Sequence, residues 1–171
     1  MKFDDIKKFP QAHYEVTQSW RDVETWLGHY VEDLKLDLDP DFQRPHVWTK
    51  KQQIAFVEYG LCGGEGGMVL YLNHPGWMAS FKGDFVIVDG KQRLEAVRAF
   101  VRGDIPAFGH LCSEYTDRLG ITSPSFRLRI ACLKTRADML RWYLGINAGG
   151  TPHRKEDLDK VRALLEIESV K

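Results

Sequence analysis

A chain of 171 residues and 19.7 kDa has the length of one domain. Its composition, 43% hydrophobic and 28% charged, excludes disordered, collagen-like and low-complexity classes. Basic and acidic residues number 24 each, which excludes nucleic-acid binding driven by bulk charge alone. The balance is uneven along the chain, however. Residues 1–90 carry 9 basic and 14 acidic side chains and residues 91–171 carry 15 and 10, so an anion-binding surface is expected in the C-terminal half. No apolar run reaches the roughly 18 residues of a membrane span, and no signal peptide opens the sequence. Cys62, Cys112 and Cys132 are too few and too scattered for a disulfide framework or a zinc knuckle. They read as small buried hydrophobes in a reducing, cytoplasmic setting.

Residues 1–18 show no clear period and read as a lead-in, with one domain expected over 19–171. Ser19 is placed to cap a helix whose stripe is Trp20, Val23, Leu27, Tyr30, Val31 and Leu34. Pro40 ends the acidic connection 37–41, and Phe42 to Trp48 reads as an extended loop. Thr49 with Gln52 three residues later is a capping box for a helix from Lys50 to about Leu61. The glycine-rich stretch 63–67 stops that helix. Met68 to Leu72 and Phe85 to Val88 are short apolar runs bounded by turn residues, hence strands. A helix follows Asp89-Gly90 and stops at Gly103; residues 104–125 are irregular. Phe126 to Leu133 alternates as a half-buried strand, with Arg127 and Arg129 on the face away from Phe126, Leu128 and Ile130. Helices from about Arg136 to Ile146 and Lys155 to Glu168 complete the chain. Strands and helices mix without a βαβ rhythm, so the fold class is α+β. Trp20, Trp26, Trp77 and Trp142 lie in apolar contexts and read as core or partner-facing rings.

Three stretches could carry chemistry. In Phe85 to Leu94 a buried strand ends in Asp89-Gly90 and a helix opens at once, leaving unpartnered N–H groups that suit an anion. Gly90 permits close backbone approach, Lys91 adds a point charge and Arg93 can fork onto a phosphate. Asp89 could hold a metal ion or act as a base; equally it could simply cap the helix. In Asp41 to Trp48, Gln43 and Arg44 are held between two aromatics, an arrangement suited to a phosphate or a base edge, or to a packed wall. His46 there reads as a surface or packing histidine. In Asn147 to Pro152 a helix ends on Asn147 and two glycines, and Thr151 with Pro152 can start the next helix. Gly150 and Thr151 could also offer donors to a ligand.

Together the stretches Pro40 to Trp48, Val88 to Arg93 and Asn147 to Pro152 resemble the N-terminal domain of GmrSD-type restriction systems, a branch of the ParB/sulfiredoxin-like superfamily. The family patterns are PxFQRxxVW, (I/V)DGQQR and N-x-GG-T-P, in this order over roughly residues 36–165. Lys91 departs from the pattern, where glutamine is commoner; it keeps a donor and adds charge.

The resemblance implies a small mixed sheet surrounded by helices and a nucleotide pocket facing the Asp-Gly-Lys-Gln-Arg turn. It implies Mg²⁺-dependent hydrolysis of a nucleoside triphosphate in restriction or in processing of phage or other foreign DNA. In that setting Asp89 orients metal or water, with Asp89, Arg93 and Arg44 as the catalytic set. Gly90, Lys91, Gln92 and Arg93 cradle phosphate, Gln43 and Arg44 close over it, and Asn147, Gly150 and Thr151 line the third side. Longer relatives carry a separate nuclease domain for which this sequence has no room, so a nuclease partner on another chain is expected. Two alternatives stay open. One is a non-catalytic DNA- or protein-binding module using Arg127, Arg129, Lys134, Arg136 and Arg141 against only Asp138. The other is a metal-dependent nuclease, which needs a second carboxylate; Asp84 and Asp104 are near Asp89 in sequence.

Overall fold

The computed structural model describes residues 14–43, 48–120, 124–147 and 155–169. Among these, five strands form one mixed sheet: β1 (Tyr14–Ser19), β2 (Leu36–Asp37), β3 (Val69–Asn73), β4 (Phe85–Asp89) and β5 (Ser125–Ala131). Their order is β1-β5-β3-β4-β2. The pairs β1–β5 and β3–β4 are antiparallel, β5–β3 and β2–β4 parallel. The helices are α1 (Val23–Gly28), α2 (Lys50–Leu61), α3 (Lys91–Val101), α4 (Arg136–Asn147) and α5 (Lys155–Ser169).

Alternation along the strands divides the interior in two. Leu70, Leu72, Phe85, Ile87, Phe126, Leu128 and Ile130 face one core with Trp20, Val23, Leu27, Val57, Leu94, Val97 and Phe100, contributed by α1 to α3 and the residues before them. Val86, Val88 and Ala131 face the other, with Phe42 and with Met139, Leu140, Trp142, Tyr143 and Val161 of α4 and α5. The α+β class is as the sequence reads. Helix α2 begins at its expected cap, with Thr49 Oγ1 accepting from Gln52 N–H and the Gln52 side chain accepting from Thr49 N–H at 2.9 Å.

The start of the chain differs from the reading. Residues 14–18, assigned to the lead-in, form with Ser19 an edge strand paired along its length with β5. Ser19 ends that strand instead of capping a helix, and its Oγ accepts from Arg21 N–H at 3.2 Å. The expected long helix is a short α1 running into a π-helical turn over 29–33, although Trp20, Val23, Leu27 and Tyr30 do form its buried stripe. Leu36 and Asp37, the second of them read as the start of a connection, extend the sheet beside Phe85 and Val86. Cys62 is exposed, while Cys112 and Cys132 are half-buried and unbridged. Trp20, Trp26 and Trp142 are core residues as expected.

His74 follows β3 and is buried among Trp77, Phe81 and Phe85. Its Nδ1 accepts from Gly76 N–H at 3.0 Å, a bond only the unprotonated nitrogen can make. Burial pushes its pKa below the ordinary 6.5, outweighing the pull of Asp84. The unfolded chain therefore binds this proton more readily than the native state, so stability is full above about pH 6.5 and declines as pH falls below it. Urea midpoints should drop between pH 7.5 and 5.5, and the drop should shrink in His74→Gln.

Candidate functional site: the strand–turn–helix at Asp89

Strand β4 carries the site because of an irregularity in its pairing. Leu72 pairs with Ile87, but Tyr71 pairs with Asp89, leaving Val88 as an extra residue. Strict alternation would send Asp89 to the face of Phe85 and Ile87, into an apolar core. The bulge frees it from that alternation, a device that re-aims side chains beside functional sites. Gly90 then turns the chain with φ of 108° and becomes the N-cap of α3, and no side chain caps the helix. Asp89 is thus not the cap that the plain turn reading allowed. A Cβ on Gly90 would sit 2.5 Å from Leu70 Cδ2 and 3.2 Å from Arg93 Nη2, so glycine is required by both backbone and space.

Arg93, one helical turn on, folds back onto the strand end. Its Nη2 donates to Asp89 Oδ2 at 2.6 Å and to the Val69 carbonyl at 3.1 Å. Its Nε is buried and finds no hydrogen-bond partner among the described residues. The guanidinium is held by one nitrogen and has donors left over. Gly67, at φ of 77°, lies against it, with a built Cβ 3.2 Å from Arg93 Cδ. The glycine-rich stretch 63–67 therefore borders the site at its last residue.

The other expected cradle residues have protein partners. Gln43 Nε2 donates to the carbonyls of Val88 at 2.8 Å and Ile87 at 3.1 Å, taking over the outer edge of β4 where β2 ends. Gln92 Oε1 accepts from Trp48 N–H at 3.1 Å. Lys91 is buried and its Nζ bonds Asp39, a partner the sequence did not suggest. The loop after Pro40 is thereby fastened to the turn on both sides of residues 44–47. Asn147 is buried, its Nδ2 donating to the Tyr143 carbonyl at 2.8 Å. Tyr143 and Trp142 meet Phe42 and Tyr71 edge-on, at 5.3 and 5.7 Å, which brings the middle of α4 to the end of β4 carrying Asp89. Arg44, His46, Gly150 and Thr151 lie outside the described residues.

Gln43 offers a direct test of its donor role. Gln43→Ala should cost about 1–3 kcal/mol by leaving two carbonyls without their donor. Gln43→Glu, which presents an acceptor to two acceptors, should cost more; chemical denaturation of both variants orders them.

Across the sheet from Asp89, register continues through Tyr71 to Arg129 and on to Glu15. Arg129 Nε donates to Glu15 at 2.5 Å. That bond, against a desolvation cost, raises the guanidinium pKa further, and Glu15 charge and the Tyr71 hydroxyl add to it. The basic surface expected from β5 and α4 is therefore not opposed by Asp138 alone. Arg129 has Glu15, Arg136 has Asp41 at 2.6 Å, Arg141 has Asp138 at 3.0 Å, and Lys134 bonds the Pro75 carbonyl. Arg127 is exposed and has no ion pair among the described residues.

The carboxylates suggested as partners of Asp89 lie elsewhere. Asp84 precedes β4, at the opposite end of that strand, and Asp104 follows α3 and pairs with Arg102. Among the described residues no three His, Cys, Asp or Glu side chains converge on a metal-sized site. A cavity of about 890 Å³ lies at the far end of α3, lined by Phe100, Tyr115 and Arg118 among others. Its arginines have Asp22 and Asp117 beside them, and none of the described motif residues lines it.

The family model described as the GmrSD restriction endonuclease, N-terminal domain, matches residues 27–159. The chain belongs to that family. All three motifs of this GmrSD N-terminal-type chain fall within the match, as do the bulge and Arg93, whereas β1 with Glu15 lies outside it. No curated protein and no solved structure matched. No helix among the described residues is long and apolar enough to cross a membrane.

Proposed function

We propose that the chain binds a nucleoside triphosphate at the Asp89–Arg93 turn and hydrolyses it as a module of a restriction system acting on foreign DNA, with strand cutting supplied by a partner nuclease. The observation that carries the reading is Arg93: a guanidinium oriented by Asp89 and Val69 through one nitrogen, with about a fifth of the side chain still exposed. Such a group is preorganised to meet charge on a transferring phosphoryl group. Gly90 admits the phosphate to the uncapped start of α3. Gln43, Lys91 and Gln92 fix the turn and the loop fastened to it, and Asn147 fixes the end of α4. Asp89 is the carboxylate for Mg²⁺, which accepts one or two carboxylates plus substrate phosphates and supplies neutralisation of phosphate charge. Membership of a restriction endonuclease family supports the DNA context.

The test is a thermal-shift panel of ribo- and deoxynucleoside triphosphates with Mg²⁺, followed by phosphate release. Ligand at a hundred times its dissociation constant stabilises by about 2.7 kcal/mol, roughly 2–4 °C per kcal/mol at this size. No shift with any nucleotide overturns the reading and leaves binding of DNA by the basic half, whose affinity should fall steeply with salt.

A further inference from the structure

The phosphate cradle as read from the motifs is electrically neutral in its described part. Arg93 is paired with Asp89 and Lys91 with Asp39. A polyphosphate tail needs positive charge that is not already matched by a carboxylate. Among the described residues at this end of the sheet, Arg129 is matched by Glu15 and Arg127 is not.

Arg127 is also in the right place. It pairs across the parallel ladder with Val69, whose carbonyl receives Arg93 Nη2, while Arg129 pairs with Tyr71 and Tyr71 with Asp89. Adjacent strands are about 4.8 Å apart, so β3 runs between Arg93 on one side and Arg127 and Arg129 on the other. Arg127 alternates with the core residues Phe126 and Leu128 and points away from them. The facing residue Thr17 of β1 is exposed, so the sheet is open beside Arg127, whereas Tyr71 is covered by Trp142 of α4.

We infer that Arg127 is a phosphate-binding residue of the nucleotide site, taking the distal phosphates of a triphosphate laid across β3 at Val69. This rests on the nucleotide reading above and removes Arg127 from the DNA surface. It makes the site selective for triphosphate over monophosphate through charge contributed by β5, outside the three motifs.

The experiment is calorimetric titration of parent, Arg127→Gln, Arg127→Lys and Arg141→Gln with the mono-, di- and triphosphate of the nucleotide that shifts most in the panel. Arg127→Gln should lose about tenfold or more in triphosphate affinity, the scale of one charged hydrogen bond, and little for the monophosphate. Arg127→Lys should recover part of the loss, and Arg141→Gln should match the parent. An equal loss for all three phosphates, or none, overturns the assignment while the nucleotide reading stands. Loss of oligonucleotide binding in Arg127→Gln with unchanged triphosphate affinity returns the residue to a DNA surface. Absence of nucleotide binding in the parent overturns both.

Discussion

Replacing Arg93 by alanine is expected to abolish the nucleotide-dependent thermal shift and to lower phosphate release by at least 10²–10³-fold, the scale seen when one preorganised charge-stabilising donor is removed. The fold should survive. Arg93 is only partly buried, and its side chain contributes bonds to Asp89 and the Val69 carbonyl at the rim of the sheet. Asp89 would be left without its cation but with access to water. The decisive comparison is with Arg93→Lys. A lysine keeps the charge yet cannot hold Asp89 and Val69 through one nitrogen while offering others to a ligand. Weak binding with little turnover in Arg93→Lys would point to the geometry of the guanidinium; full activity would show that charge alone suffices and would remove the orienting role assigned to Asp89.

The largest expected effect on stability at the site comes from Gly90→Val. A β-branched residue would be forced to φ near 108°, and its Cβ would meet Leu70 at 2.5 Å. Left-handed backbone costs of order 1–3 kcal/mol for a non-glycine residue, and overpacking against a buried leucine adds a similar amount. A loss of about 2–5 kcal/mol is expected from denaturant midpoints, a large share of the total for a domain. The damage is not confined to stability. Relieving the clash means moving the start of α3 away from β3, which carries Arg93 off the Val69 carbonyl, so residual folded protein should bind nucleotide poorly. A Gly90→Val protein with parental midpoint and affinity would refute the close approach of turn and strand.

What was legible in the sequence was whatever is encoded locally. The capping box at Thr49 and Gln52 fixed the start of α2, and Asp89-Gly90 marked the passage from β4 to α3, because both signals act over three or four residues. Arg93 was found for the same reason: it lies one helical turn from Asp89. Strand β1 was missed because Tyr14 to Ser19 alternates weakly and has one sheet neighbour, so little apolar content is needed. Strand β2, with two residues, has no period to detect. The partners that give the site its charge balance were beyond reach, since Asp39 meets Lys91 and Glu15 meets Arg129 only through pairings set by the whole sheet. Gln43 and Gln92 were expected at the ligand and have protein partners instead, in bonds that hold the surrounding loop. Residue type alone does not separate a side chain that touches phosphate from one that positions the wall around it.

The extra residue in β4 makes the site depend on phase as well as on composition. Between Phe85 and Gly90 the number of residues decides on which side of the sheet the carboxylate emerges, because each step along a strand reverses the side. Ironing out the bulge with Val88 kept, so that Val88 pairs with Tyr71, would restore regular alternation and turn a charged group among Leu70, Leu72 and Ile87, at a cost of several kcal/mol for an unpaired buried carboxylate. Lengthening it by one would move Gly90 out of its turn. Side chains around Asp89 can therefore be exchanged within the limits of size and polarity, but the strand cannot give up its bulge without dismantling the pair of opposite charges on which the proposed chemistry depends.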